Sequence, residues 1–391
     1  YNSSADLSPT ASQMPRLLGL AQASKIYKKS KVNLPKFSKN GNEIAFGTIG
    51  NASTSEGLFF ETINAAGVLQ APILLSIWDD GWGISVPSKY QTTKGNISEV
   101  LRGFQRTQKK DGIQIYRVKG WDYSELTSTY MEASRLCRNH HIPVIIHVQE
   151  MTQPQGHSTS GSHERYKTEN ELSWEKDFDC IKKMKEWIIN KNISNIKDLE
   201  KIEDDAQLKV KNAQLKAWTK YLNQLLEEKN ELCQIIDSTC NLNENLEASI
   251  LKSLQAEKIP TRRILISNAR KLIRKTKYQN NNNELLEKWL TNSIDKYRKI
   301  YSSHLYSESK ASISVSQNEK KTEAILNQNT LVDGRVILRD NFDELLNKYP
   351  ELLIFGEDSG QIGDVNQGLE GLQIKHGTDR VTDTGIREAT I

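Results

Sequence analysis

Four short apolar segments alternate with helical patterns over about the first 165 residues. The segments are rich in β-branched residues and continuously apolar, as parallel strands buried on both faces are. Two stretches with helical spacing, 57–69 and 123–140, lie between them. This alternation predicts an open parallel β-sheet flanked by helices. The predicted strands are EIAFGTI (core 44–49), PILLSIW (72–78), GIQIYRV (112–118) and IPVIIHV (142–148).

The hydrophobic pattern divides the chain into three regions. Residues 1–167 have the sheet pattern. Residues 168–328 lack it and instead have a charged, amide-rich sequence with helical spacing. We predict that this second region is a helical connector with few functional residues. The pattern of residues 329–391 predicts a helix, a strand and a glycine-rich loop, and thus the start of a second α/β domain. Because the chain begins at Tyr1 and this last region is short, we expect a piece of a longer reading frame, cut at both ends.

Composition and charge exclude several classes of partner. The net charge is +4 and the basic residues alternate with acidic ones, so no basic surface for nucleic acid is expected. No apolar run reaches the roughly 18 residues that cross a bilayer, so no membrane partner is expected either. The cysteines form no C-x-x-C pair, and we expect free thiols in a reducing compartment. The cysteines are Cys137, Cys180, Cys233 and Cys240.

A loop of small and polar residues, GNASTSEG, follows the first predicted strand and precedes a helix. Open α/β sheets bind ligands at such loops, because backbone N–H groups and the helix N-terminus can approach an anion. The alternative is an ordinary strand-to-helix turn in which Ser53 or Ser55 caps the helix. The second strand ends in Asp79 and Asp80, so Asn51 and Asp80 are expected at the same sheet edge. One carboxylate, one amide oxygen and one carbonyl would form part of a Mg²⁺ site.

These two segments resemble the thiamin-diphosphate motif of the decarboxylating component of 2-oxo acid dehydrogenase complexes. The motif covers residues 50–85, GNASTSEGLFFETINAAGVLQAPILLSIWDDGWGIS. Three further segments resemble the same family: LSPTASQMPRLLGLAQASK (7–25), QGHSTSG (155–161) and the stretch 331–391, which is similar to the start of the family's β chain. The order of α-like and β-like parts implies a fused bacterial form. It also implies a thiamin-diphosphate-binding α/β fold followed by a transketolase-type pyrimidine-binding domain.

The resemblance implies thiamin diphosphate and Mg²⁺ as cofactors. Asn51, Asp80 and the carbonyl of Trp82 match the metal ligands, although the family has an acid at the first position and Asn at the second. This exchange preserves one carboxylate and one amide, and we interpret it as a compensated swap. The remaining matched cofactor contacts are Ser8, Thr10, Gly50, Ala52, Ser53, Trp82, Ile84 and His157. Ser12 and Gln13 match a potassium site of some relatives, with a helix cap as the alternative.

Two matched residues would take part in the chemistry. Glu388 matches the side chain that bonds the aminopyrimidine ring in the family, and His157 matches one that assists acyl transfer. Three other histidines, His140, His141 and His163, have no such match and are predicted at the surface or at helix ends.

The implied reaction is oxidative decarboxylation of a 2-oxo acid, with the acyl group passed to a lipoyl-bearing acyltransferase partner. The loop GHSTSG is more similar to that of branched-chain members of the family than to that of pyruvate members, which implies branched-chain substrates such as 2-oxoisovalerate. A homo-oligomer in the bacterial cytoplasm, with the cofactor at an interface between domains or subunits, is expected rather than a mitochondrial protein. The alternatives are a pyruvate-specific member, a transketolase-type enzyme and a non-catalytic scaffold.

Overall fold

The computed structural model describes residues 10–29, 38–39, 41–154, 163–239, 245–276, 284–302 and 331–384. The chain forms two compact units, one from residues 1–195 and 328–391 and one from residues 196–327. None of the described helices is long and apolar enough to cross a membrane. The described cysteines, Cys137, Cys180 and Cys233, are free thiols, as predicted, and Cys240 lies outside the described residues.

The strands are β1 (Ala45–Gly50), β2 (Ile73–Trp78), β3 (Trp82–Gly83), β4 (Val86–Pro87), β5 (Gln114–Lys119), β6 (Val144–Gln149), β7 (Ile354–Glu357) and β8 (Val381–Thr384). The helices of the first unit are α1 (Met14–Lys29), α2 (Gly57–Leu69), α3 (Ile97–Val100), α4 (Tyr123–His140), α5 (Glu169–Asp177) and α6 (Cys180–Asn190). Those of the second are α7 (Ile196–Thr239), α8 (Asn245–Ala256), α9 (Arg262–Thr276) and α10 (Glu284–Ser302). The first unit ends with α11 (Gly334–Lys348) and α12 (Leu372–His376).

A four-stranded parallel sheet with the order β1-β2-β6-β5 is the centre of the first unit. Strands β2 and β6 lie in its middle and are buried almost throughout, which explains their continuous apolar sequence. Strand β1 is at one edge and exposes Phe46. The four predicted strands are therefore present, each within two residues of its predicted bounds.

Helices cover both faces of this sheet. Phe59 and Ile63 of α2 pack with Ile49, Leu75 and Ile77 on one face. On the other face, Ala133 and Cys137 of α4 pack with Leu74, Ile146 and Val148. Both helices have the bounds that their hydrophobic spacing predicts, 57–69 and 123–140. The sheet thus has its two faces covered and its strand ends left for a site.

The first part of the predicted connector packs in the first unit. Helices α5 and α6 follow residue 167, and the Trp187 ring of α6 lies 4.9 Å from the Tyr123 ring of α4. Phe178 similarly lies 5.2 Å from Trp121. The boundary between units falls at residue 195, about thirty residues later than the change in sequence texture, because these aromatic contacts return the chain to the sheet.

Residues 331–384 form a small α/β segment within the same unit. Its strands β7 and β8 are parallel, with Ile354 opposite Val381. The Arg380 guanidinium donates to the carbonyls of Leu346, Tyr349 and Leu352 at 2.9, 2.7 and 2.9 Å. Arg380 therefore fastens the end of α11 to strand β8.

The second unit contains helices only among its described residues. Its core joins α7, α8, α9 and α10 through apolar side chains, and the acids Glu228 and Glu247 are buried in the same unit. Arg262 donates two bonds to the Glu228 carboxylate at 3.0 and 3.1 Å, and Lys296 and Tyr297 each donate one at 2.8 Å. The core residues include Leu232, Ile236, Leu254, Leu265, Leu272 and Trp289.

Candidate active site

The carboxyl ends of β1 and β2 bring two polar segments together. Asn51 follows β1 directly, and its backbone N–H donates to the carbonyl of Trp78, the last residue of β2, at 3.1 Å. Asp79 and Asp80 come next along the chain. Neighbouring parallel strands end at the same sheet edge, so these residues share one corner of the sheet.

The side chain of Asn51 is buried, with 6% of the residue exposed. Its Nδ2 donates to the hydroxyl of Ser88 at 3.2 Å, so the amide oxygen Oδ1 is the atom that can accept a cation. Gly50, the residue before Asn51, has open space beside its α-carbon. No atom lies within 4 Å of the position that a Cβ would occupy there. Gly57 and Gly81 have the same open space. Beside Gly50, this leaves room for the backbone to be approached by an anionic group.

A tight turn presents Asp80. One carboxylate oxygen of Asp79 accepts from the N–H of Gly81 at 2.8 Å, and one of Asp80 accepts from the N–H of Trp82 at 3.0 Å. Gly81 has a φ of 80°, a conformation that glycine adopts without strain. Burial raises the pKa of the Asp80 carboxyl, against the opposing effects of the Trp82 N–H and the Lys167 charge. A divalent ion would offset this burial cost.

Asp79 is hydrogen-bonded by a buried histidine, which in turn contacts a buried serine. His147, which is fully buried in β6, bonds the Asp79 carboxylate through Nε2 at 2.8 Å. The hydroxyl of Ser98 lies 2.6 Å from Nδ1 of the same ring. Because a carboxylate only accepts, Nε2 carries the proton in the bond to Asp79. The chain Ser98–His147–Asp79 therefore orients the turn that carries Asp80.

A cavity of about 440 Å³ opens beside this turn. Lys167 and Glu175 line it and form a buried ion pair, with Nζ and Oε1 2.6 Å apart. The Lys167 ammonium also lies 5.7 Å from the centre of the Trp82 ring. The cavity thus combines carboxylates, a buried cation and an aromatic wall. Its polar lining residues include Asp79, Asp80, Ser88, Asn96, Gln149, Glu150 and Glu171.

The chemistry of the donor set fits a hard divalent cation. Within the described residues no three His, Cys, Asp or Glu side chains converge as a metal cluster. A cation at this corner would instead take an amide oxygen from Asn51, a carboxylate oxygen from Asp80 and a backbone carbonyl. Oxygen donors of this kind suit Mg²⁺, which keeps further positions for water and phosphate.

Residues 5–224, more than half of the chain, match the family described as Dehydrogenase E1 component. The chain belongs to this family. The match confirms the family resemblance that the motifs predict, and with the observed parallel sheet it confirms the α/β fold class.

Known E1 proteins resemble the chain over part of their length. It is 29% identical over 209 residues to the mitochondrial 2-oxoisovalerate dehydrogenase subunit alpha 2 of Arabidopsis thaliana, covering 53% of this chain and 39% of that protein. It is 30% identical over 190 residues to the pyruvate dehydrogenase E1 component subunit alpha of Acholeplasma laidlawii, covering 48% and 49%. The chain spans about two fifths to one half of these relatives. A transketolase structure from Campylobacter jejuni aligns over 98% of the chain and 44% of its own, at 13% identity and a TM-score of 0.39.

The structure places several predicted E1 site residues around the same corner. Ala52 and Ser53 lie in the helical turn Ala52–Ser55 between β1 and α2. Trp82 is half-buried, and its ring lies 5.2 Å from that of Tyr166. Ile84 is 54% exposed with a φ of 57°.

The remaining predicted residues precede helix α1 or lie outside the described residues. Thr10, Ser12 and Gln13 belong to the turn that precedes α1, with Thr10 exposed and the other two half-buried. The roles assigned to Ser8, His157 and Glu388 fall outside the described residues. Their positions stay predictions.

Two residues beside the cavity were not predicted as part of the E1 site. His163, predicted at the surface or at a helix end, begins the helical turn His163–Arg165; it is buried with 9% exposed, and its Nδ1 lies 3.6 Å from the Glu175 carboxylate. Glu175 itself lies in the predicted connector, yet it lines the cavity. The sequence gives no local sign of either, because α5 reaches the cavity only through its packing.

Ser98 and His147 were also missed as site residues. One signal was present: a histidine inside the apolar strand IPVIIHV must find a polar partner when it is buried. The identity of that partner depends on the register of β6 against β2, where His147 is level with Ile77.

Proposed function

We propose that this E1 chain contributes the metal- and diphosphate-binding part of a thiamin-diphosphate-dependent 2-oxo acid dehydrogenase. The reaction is oxidative decarboxylation of a 2-oxo acid, with the acyl group transferred to a lipoyl group of an acyltransferase partner. The observation that supports it best is the pairing of Asn51 with the Asp79–Asp80 turn at the ends of β1 and β2.

The residues at this corner have distinct roles in the proposal. Asn51, Asp80 and the Trp82 carbonyl hold Mg²⁺, and the backbone of Gly50, Ala52 and Ser53 receives the diphosphate. When thiamin diphosphate is bound, it supplies the electron sink for decarboxylation. In this proposal the chain positions thiamin diphosphate, and the wall of the cavity excludes water from it.

Residues farther along the chain complete the proposed site. Glu388 would hold a proton at the aminopyrimidine ring, and His157 would assist acyl transfer. Ser8, Thr10 and Ile84 would line the cofactor, and Ser12 and Gln13 would bind K⁺. These roles come from the family resemblance. Because the pyrimidine-binding part must come from a second domain or copy, we propose a homo-oligomer.

The proposed substrate is a branched-chain 2-oxo acid such as 2-oxoisovalerate. Three of the similar relatives are 2-oxoisovalerate dehydrogenase alpha subunits from Arabidopsis thaliana and Mus musculus. Pyruvate is the second candidate, because pyruvate dehydrogenase alpha subunits from Rickettsia bellii and Acholeplasma laidlawii match as well.

The assignment of Asn51 and Asp80 as metal ligands can be tested by exchanging these two side chains. Asp80→Asn removes the one carboxylate, and we expect Mg²⁺-dependent binding of thiamin diphosphate to weaken by about tenfold or more. The double variant Asn51→Asp/Asp80→Asn restores one carboxylate and one amide and should recover most of the affinity. Isothermal titration calorimetry with and without Mg²⁺ gives both values.

Glu150→Gln is the matched control, because Glu150 lines the same cavity but is not one of the proposed metal ligands. It should leave cofactor affinity within about twofold. Wild-type affinity in Asp80→Asn, or no recovery in the double variant, would refute the ligand assignment.

Substrate class is tested by reduction of ferricyanide. We expect faster ferricyanide reduction with 2-oxoisovalerate than with pyruvate. Faster reduction with pyruvate would identify the pyruvate-type enzyme. Two-carbon transfer between sugar phosphates would indicate a transketolase-type enzyme, and no cofactor binding at all would indicate a scaffold.

A further inference from the structure

Another cavity lies in the first unit, and it shares no lining residue with the cavity beside Asp80. Helices α1 and α2 form one wall, and strands β7 and β8 with the residues just before them form the other. Its volume is about 160 Å³. Since an apolar cavity of about 150 Å³ holds one benzene ring, this one has the size for a single compact molecule. Its apolar lining includes Pro15, Leu18, Ile26, Ala65, Leu69 and Phe355.

Two polar atoms of this lining are buried without a hydrogen-bond partner among the described residues. They are Oγ1 of Thr62 and Oε1 of Gln22. Thr62 lies in α2 and is only 1% exposed. A buried hydroxyl without a partner is costly, and native proteins pair nearly all such groups. Because Thr62 and Gln22 both line the cavity, a bound molecule can supply the partner that the described residues lack.

The charged groups of the lining restrict the kind of molecule that fits. Glu61 and Asp379 are both acidic, and Asp379 already pairs with Lys29 at 2.9 Å. An anionic ligand would be repelled by the Glu61 carboxylate. A cation would leave water for a mainly apolar space, which is costly for a charge that is not fully paired. A neutral hydroxyl group avoids both costs, because it can donate to Gln22 and can either donate to Thr62 or accept from it.

We propose that this cavity binds a compact neutral alcohol. The apolar part of the ligand lies between α1, α2 and Phe355, and its hydroxyl group bonds Thr62 or Gln22. Such a ligand differs in charge from the anionic 2-oxo acid proposed as the substrate. The proposal goes beyond the proposed E1 reaction and does not depend on it, because binding is measured directly, without thiamin diphosphate or substrate.

The ligand class is tested with three probes that share one aromatic ring: benzyl alcohol, toluene and benzoate. Isothermal titration calorimetry of the 391-residue chain measures each of them. We expect benzyl alcohol to bind in a saturable way, with a dissociation constant of about 0.5 mM or lower. Toluene lacks the hydroxyl group and should bind at least about fivefold more weakly. Benzoate carries a negative charge and should show no measurable binding.

The role of the buried hydroxyl is tested with Thr62→Val, which keeps the shape of the side chain and removes its polar atom. Benzyl alcohol should then bind about as weakly as toluene, whereas the affinity for toluene should stay within about twofold. Without ligand, the melting temperature of Thr62→Val should not fall, because the hydroxyl has no partner to lose.

The location of the site is tested by filling the cavity. Ala23 of α1 lines it, and Ala23→Leu should weaken the binding of benzyl alcohol by about tenfold or more because the side chain occupies the space. Ala213→Leu is the matched control, since it makes the same change at an exposed position of α7 in the second unit. It should leave the affinity within about twofold.

Four results would each overturn the proposal. They are no saturable binding of benzyl alcohol, equal affinity for benzyl alcohol and toluene, tighter binding of benzoate, and equal effects of Ala23→Leu and Ala213→Leu. A lower melting temperature of Thr62→Val would also contradict it, because the hydroxyl would then have a partner within the chain. The comparison of the three probes uses the wild-type chain, so it decides the question even if a variant fails to fold.

Discussion

At the scale of single residues, the candidate site includes a carboxylate, Asp79, whose two oxygens both accept hydrogen bonds from within the chain. Asp79 accepts from the Gly81 N–H with one oxygen and from His147 with the other, at 2.8 Å in both cases. These bonds fix the start of the turn whose next residue is Asp80. His147 acts through Asp79, and we regard it as a positioning residue of the proposed metal site.

Replacing His147 with leucine should destabilise the first unit. His147→Leu has a similar volume but leaves the Asp79 oxygen and the buried Ser98 hydroxyl without their partner. Each such buried group costs about 1–3 kcal/mol. We expect the free energy of unfolding in urea to fall by about 2 kcal/mol, and Mg²⁺ affinity to fall with it because the turn loses its support.

His140→Leu is the control for this variant, because His140 is exposed at the end of α4. It should change stability by no more than about 0.5 kcal/mol. The substitution His147→Gln can still bond Asp79 and should recover Mg²⁺ affinity in part. Wild-type Mg²⁺ affinity in His147→Leu would show that the buried chain has no influence on the turn.

At the scale of elements, the site requires two short segments to touch. The turn at β3 packs against the helical turn Ala52–Ser55, and Gly83 is the point of contact. A Cβ added at Gly83 would lie 2.7 Å from the Cβ of Ala52 and would also meet the Gln91 side chain. Gln91 can move aside, whereas Ala52 belongs to a backbone turn and cannot do so without displacing it.

Gly83→Ala should therefore push apart the two segments that carry the proposed metal and diphosphate contacts. We expect affinity for thiamin diphosphate to fall about tenfold while the helix content stays unchanged. The double variant Ala52→Gly/Gly83→Ala removes the opposing methyl group and should recover part of the loss. Calorimetric titration measures each variant, and equal affinities in the single and double variants would contradict this contact.

At the scale of the whole molecule, the two units have separate cores. The sheet supports the first unit, whereas the second depends on apolar helix faces joined at the buried Glu228. Burial by itself would raise the pKa of Glu228, but bonds from Arg262, Lys296 and Tyr297 outweigh it and hold the pKa below its usual value. The ionised carboxylate thus contributes stability to the second unit.

Glu228→Gln should lower the stability of the second unit by about 3 kcal/mol at pH 7, because a buried ion pair loses one partner. Since the folded-state pKa is lowered, the contribution is present above the ordinary glutamate pKa of 4.5 and is lost as the pH falls through the folded-state pKa. The difference from wild type should therefore shrink between pH 5 and about pH 3. Urea unfolding followed by circular dichroism at both pH values measures it.

Glu227→Gln provides the control, because Glu227 is the exposed neighbour on the same helix. It should behave like wild type at every pH. Mg²⁺-dependent cofactor binding in the first unit should be unchanged by either substitution. A change in that affinity would contradict the independence of the two units.

The sequence by itself determined the local elements of this protein. Buried parallel strands are continuously apolar and amphipathic helices repeat every three to four residues, so β2, β6, α2 and α4 could be located from pattern alone. The motif around Asn51 and Asp80 could be located as well, because small residues after a buried strand are a local signal.

The tertiary structure decided which side chains meet. Asp79 and His147 are 68 residues apart and touch because β6 lies beside β2. Lys167 and Glu175 reach the cavity because aromatic contacts fold the start of the predicted connector onto the first unit. Such contacts depend on strand order and packing, which no local pattern encodes.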